Sequence, residues 1–178
     1  QELSGKAEAL RSNHPAPTWH FVGHLQRNKV PLVVGAAQWV HAIDRASLVV
    51  SLAEHVQQKR TTPLSCLVQV NVGGEFQKHG CSEADLPAVL DAFATTNGAV
   101  LCKGLMCIPP AASHPEQSRP FFRTLRLLRD RHAAQLRPHV DLQALSMGMS
   151  QDFEVAIEEG ATMVRIGTAL FGDRTFIT

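Results

Sequence analysis

The sequence predicts an α/β fold with a parallel sheet, and three observations carry that prediction. Helical and strand-like periods alternate along all 178 residues in the order α(βα)5β. The strand-like runs are apolar and β-rich, as strands buried on both faces are. Nearly every such run ends in polar or small residues, and parallel α/β folds build their ligand sites at those C-terminal strand ends.

Taken in order, residues 2–12 read as a helix with Leu3, Ala7 and Leu10 on one face, ended by Pro15 and Pro17. TWHFVGHLQ (18–26) is a strand, and RNKVPLVVGAA (27–37) a short helix or turn that Asn28 is placed to cap. QWVHAID (38–44) is a second strand ending at Asp44. RASLVVSLAEHVQQKR (45–60) is amphipathic, with Leu48, Leu52 and Val56 aligned at helical spacing. SCLVQVNV (65–72) is a third strand, polar at Asn71, followed by a Gly-rich turn, VGGEFQKHGCS (72–82). That turn is too short for a dinucleotide fingerprint or a P-loop. Residues 82–96 form a helix with Ser82 as N-cap. AVLCKGLMCIPP (99–110) is a strand closed by two prolines, and residues 113–136 a long helix.

The last stretch, LSMGMSQDFEVAIEEGATMVRIGTALFG (145–172), reads as strand, helix, strand. Phe153, Ala156 and Ile157 share a helical face, with Gly160 as C-cap and Ser150 as N-cap. TMVRIGTALF (162–171) is an apolar strand interrupted by Arg165 and by Gly167-Thr168. An arginine buried without a partner is costly, and glycine permits close approach of a ligand to the backbone. Ser, Arg, Gly and Thr at the ends of two successive strands therefore point to an anion site. The bland counterpart is an ion pair of Arg165 with Asp44 or Glu154.

Net charge is +1, with 44% hydrophobic and 19% charged residues. This is ordinary globular composition, with no electrostatic case for nucleic acid or an anionic membrane. Cys66, Cys81, Cys102 and Cys107 form no CxxC pair and read as core residues of a reducing compartment, so a cytoplasmic (or mitochondrial) location is expected. His20, His24 and His41 lack the spacing of a known metal motif, and no metal is expected. Met106, Met147 and Met149 are placed to floor a pocket as soft packing.

WHFVGHLQRNKV (19–30), GLMCIPP (104–110) and the 145–172 stretch resemble the YggS/PROSC family of pyridoxal-phosphate homeostasis proteins. Strand counting alone does not separate an open doubly wound sheet from an eight-stranded barrel. The resemblance implies the latter: a single (β/α)8 TIM barrel of the alanine racemase N-terminal-domain type, present over 1–178 with about six of its eight strands. It implies pyridoxal 5′-phosphate as cofactor, a carrier or buffer role without turnover, and PLP-dependent apoenzymes as recipients. The matching cofactor residues are Ser146 and Thr168 with Gly167 on the phosphate side, and Arg165 at the ring nitrogen; Asn28 and Lys29 match a rim motif. The family's Schiff-base lysine lies in an N-terminal strand motif that none of Lys6, Lys29, Lys59, Lys78 and Lys103 matches. Gln1-Glu2 look like the end of the family's second-strand motif, so that lysine is expected upstream. A monomer is expected for the family. A 178-residue piece alone would leave open sheet edges and tend to associate or swap. Two enzyme readings stand beside the carrier: a racemase, which needs a tyrosine base that these residues do not contain, and an unrelated barrel enzyme for a phosphorylated metabolite.

Overall fold

The computed structural model describes residues 2–172 apart from Arg11, Asn13, His14 and Phe76. Its strands are β1 (His20–Phe21), β2 (Trp39–Ile43), β3 (Leu64–Gln69), β4 (Val100–Met106), β5 (Val140–Met149) and β6 (Met163–Arg165). The helices are α1 (Glu2–Ala9), α2 (Val30–Ala36), α3 (Ala46–Lys59), α4 (Leu86–Ala92), α5 (Arg119–Ala133), α6 (Phe153–Glu158) and α7 (Thr168–Phe171). All six strands are parallel and stand in sequence order across the sheet. That order decides between the two architectures. A doubly wound sheet reverses direction at a switch point, whereas unbroken order with right-handed crossovers keeps every helix on one face, as in a barrel.

The helices form where periodicity places them. Leu48, Val49, Leu52, Ala53 and Val56 of α3 are buried along one stripe. Phe122, Leu125 and Leu128 do the same for α5, which Pro120 opens in its first turn. Ser82 accepts the Asp85 amide at 3.1 Å but caps only the turn before the helix: α4 itself starts at Leu86, with Asp85 rather than Ser82 at its N-cap position. Gly160, at φ +93°, ends α6 as its sequence position suggests. The Arg60 guanidinium donates to the Ala37 carbonyl at 2.6 Å and the Val34 carbonyl at 3.3 Å, satisfying the end of α2. Glu159, buried between α5 and α6, accepts from Arg119, Arg123 and Arg126, and these guanidiniums, Arg123 foremost, hold its carboxyl down at about 2.

One large core fills the space between sheet and helices, built around residues such as Val40, Leu52, Leu90, Leu105 and Phe122. A second, small cluster lies apart from it: Leu67, Met106 and Ala144, with Val22, Trp39 and Met163 packed against them. It occupies the other, concave face of the sheet. Burial pushes the thiols of Cys81, Cys102 and Cys107 up to about 12, and that of Cys66 upward as well, so all four are inert. Among the described residues no helix is long and apolar enough to cross a membrane.

Two terminal strands are shorter than expected. The run 18–26 pairs only at His20 and Phe21. The run 162–171 pairs only through Arg165, and then winds into α7. Backbone pairing there gives way to the bonds that the turn after Arg165 makes with Ser150. Asn28 caps nothing, because neither helix start beside it carries a side-chain cap.

Strands β4 and β5 approach so closely at Gly104 that a Cβ would overlap the Ala144 carbonyl, and the register breaks there between Cys102 and Gly104. Gly104→Ala is expected to cost about 3 kcal/mol or more. A urea midpoint within error of the parent would show that this approach is not a constraint.

Candidate functional site

Parallel neighbours stand about 4.8 Å apart, so β2 and β5 would lie roughly 14 Å from one another in a flat sheet. Instead, His41 Nδ1 on β2 lies 3.0 Å from Ser146 Oγ on β5. The sheet is therefore curled into a half-barrel, with these side chains meeting across its concave face. The line continues both ways. His41 Nε2 is 2.8 Å from His20 Nδ1 on β1, and Arg165 Nη1 on β6 donates to Ser146 Oγ at 2.9 Å. The second Arg165 terminus donates to the Cys107 carbonyl at 2.9 Å. His20 stacks on Trp39, with ring centroids 5.5 Å apart and 7° between planes.

Electrostatics set the protonation of this line. Burial, then His20, then the Arg165 cation lower the His41 pKa to about 4, and burial lowers that of His20. His41 is therefore neutral at pH 7. Ser146 is fully buried and accepts from Arg165, so its own proton needs an acceptor. Donation to His41 Nδ1 supplies one and leaves His41 Nε2–H to donate to His20 Nδ1. Every buried polar atom of the line is then satisfied. Burial lowers the Arg165 pKa, while Cys107 and Asp152 oppose that shift.

Arg165 is thus held by a hydroxyl and a carbonyl. Asp44 and Glu154, weighed as ion-pair partners from the sequence, make no hydrogen bond or salt bridge with it among the described residues; its side chain borders an open space. That space is a cleft of about 890 Å³ beside Arg165, Gly167 and Thr168, walled by the loop after β4 and by Met149 and Ser150. Three of the four sequence-identified cofactor residues line it. Ser146 does not; it lies behind Arg165 and fixes the guanidinium. Met106 packs on the concave face, Met149 lines the cleft, and Met147 points into the sheet–helix core.

Ser150 departs from its expected role. It does not cap α6, whose N-cap position is Asp152. Its Oγ accepts the Gly167 and Ala169 amides, each at 3.2 Å. With both lone pairs engaged, the hydroxyl proton remains to be donated, and two amides behind it strengthen that donor. A Cβ on Gly167 would meet nothing within 4 Å, so the space before it is open. An anion of phosphate size fits this corner. The histidine line and the Ser150 contacts carry no local sequence signal, because they join residues 17 to 105 positions apart.

The family model for the alanine racemase N-terminal domain matches residues 5–175. A pyridoxal phosphate homeostasis protein of Aquifex aeolicus is 46% identical, over 99% of this chain and 75% of the relative. A protein of the same name from Pseudomonas aeruginosa is 44% identical, over 99% of this chain and 72% of its own. The solved structure of PipY from Synechococcus elongatus with PLP bound superposes with a TM-score of 0.84 at 32% identity, over 97% of this chain and 78% of that one.

The His41 shift has a definite sign. Between pH 6.5 and about 4 the unfolded chain takes up a proton that folded His41 refuses, so stability rises with pH across that window. Acidification from pH 7 to 4 should remove up to about 3 kcal/mol through this residue. His41→Gln should flatten the slope of unfolding free energy over that range. An unchanged slope in the variant would place the titration elsewhere.

Proposed function

Because the chain belongs to the family of pyridoxal phosphate homeostasis proteins, built on the alanine racemase N-terminal domain, we propose that it binds pyridoxal 5′-phosphate in the cleft beside Arg165 and acts as a carrier without turnover. The single observation that carries this reading is the convergence of the Gly167 and Ala169 amides on Ser150 Oγ, next to a guanidinium held from behind by Ser146.

The residues fit the group in two halves. Ser150, Gly167 and Thr168 form the corner for the phosphate, where the Ser150 hydroxyl, its lone pairs held by the Gly167 and Ala169 amides, can donate to a dianion. Arg165 would face the pyridine nitrogen. A fixed cation there disfavours protonation of that nitrogen and weakens the ring as an electron sink. Bound in this way, the cofactor supplies an aldehyde able to combine reversibly with amines. The protein holds the phosphate, keeps the ring oriented and leaves one side of the cleft open. This suits holding and release better than transamination. Ser146 contributes indirectly, by fixing Arg165, and His41 and His20 contribute by fixing Ser146. Recipients are then PLP-dependent apoenzymes, and the buried thiols suit a reducing compartment such as the cytoplasm.

Equilibrium dialysis tests the phosphate corner. Pyridoxal 5′-phosphate should bind far more tightly than pyridoxal, inorganic phosphate should compete, and Ser150→Ala should weaken binding roughly tenfold, the worth of one hydrogen bond to a charged group. Equal binding of pyridoxal, or an unchanged Ser150→Ala, would remove the proposal. Interconversion of alanine enantiomers by the protein would support the racemase reading in its place.

A further inference from the structure

Of His20, His24 and His41, the concave face leaves out His24, which sits on the rim with two partners from other loops. His24 follows β1, Asp44 follows β2, and His79 lies in the turn after β3. One ligand atom from each lies within 4.8 Å of the other two, the only such group found among the described residues. From these placements we propose a second site, a two-histidine, one-carboxylate centre for a divalent transition ion of the Zn(II) class.

The donors suit such an ion. Two imidazoles and one carboxylate form a borderline set that selects first-row transition ions over Mg²⁺ or Ca²⁺. Three protein ligands leave positions open to water or a small ligand. His24 Nδ1 stands 3.6 Å from Asp44 Oδ2, too far for a good hydrogen bond. Ligands on tetrahedral zinc stand about 3.3 Å apart, so closure needs shifts of about an ångström. The two imidazoles stack with centroids 3.9 Å apart and 13° between planes, so binding a common ion requires a ring to turn out of the stack and point its nitrogen at the other donors.

The outer contacts are those that orient metal ligands. Arg45 Nη1 takes Asp44 Oδ1 at 2.5 Å, leaving Oδ2 turned to His24. Its other terminus reaches the carbonyl of Leu25, the residue after His24, at 3.5 Å, and Leu25 is buried. On the third side, buried Gln69 donates its amide to the His79 carbonyl at 3.0 Å. Each ligand segment is tied to the barrel wall. Both histidines are exposed, so an ion has access from solvent. The site shares the rim with the cofactor cleft, because Lys78, next to His79, lines that cleft and donates to the Pro109 carbonyl at 3.1 Å.

This inference does not rest on the cofactor reading, and its test contains no pyridoxal phosphate. Chelator-stripped protein is titrated with Zn²⁺ against a chromophoric chelator, and with Co²⁺ while the visible d–d absorption is followed. One equivalent should bind. His24→Gln and His79→Gln should each weaken it at least about tenfold and change the Co²⁺ spectrum, while His55→Gln, a histidine bonded to its own helix at Ser51, should not. Melting curves confirm that the variants are folded; both rim histidines are exposed. Zn²⁺ binding no tighter than in the His24→Gln/His79→Gln double variant, or retained in full by both single variants, would overturn the proposal.

Discussion

The hydrogen bond between His41 and Ser146 is the contact on which the rest depends. It joins β2 to β5 across two intervening strands, at 3.0 Å. A flat sheet cannot make it, so the curl and the bond require one another. Once Ser146 is held there, it presents its oxygen to Arg165, and the guanidinium is fixed at the edge of the cleft. The pattern is electrostatically consistent only because His41 is neutral. A protonated imidazole would set a second buried cation beside Arg165, and burial with that neighbouring charge prevents this.

Two serines four positions apart on the chain divide the work of the site between them. Ser146 is buried and turned to the concave face, where it orients a cation. Ser150 lies past the end of β5, where the chain has left the sheet, and gathers two amides. Ser146, Arg165, Gly167 and Thr168 stand at the ends of two successive strand runs of the sequence. In the structure Arg165, Gly167 and Thr168 border the cleft, Ser146 lies behind Arg165, and Ser150 joins the cleft wall. The same barrel rim carries the His24, Asp44 and His79 group, assembled from three successive strand ends. A barrel rim makes such assemblies readily, because it gathers the ends of strands that are remote in sequence.

Several features were legible in the residues themselves. The α3 and α5 stripes follow from spacing, and the α6 terminus from Gly160. Others misled. TMVRIGTALF has the composition of a long strand, yet pairing stops at Arg165 because the Gly167 and Ala169 amides find Ser150 rather than a neighbouring strand. Ser150 has the look of a helix cap because polar residues follow it, but its oxygen goes to a segment 17 residues on. Nothing in the turn that carries His79 shows that His24 stacks on it.

By itself, then, the sequence determined the alternation of helices and strands, the buried face of each, and the family whose motifs it carries. These are properties of local period and of contiguous residues, which a linear reading samples directly. Tertiary structure alone decided that the sheet is wound in one direction and curled, that Ser146 serves Arg165 while Ser150 serves the amides, and that three rim side chains converge. Those outcomes depend on strand stagger and curvature, which arise from the summed packing of all six strands. A few ångströms of displacement there decide whether two polar atoms meet, and no period in the chain encodes that distance.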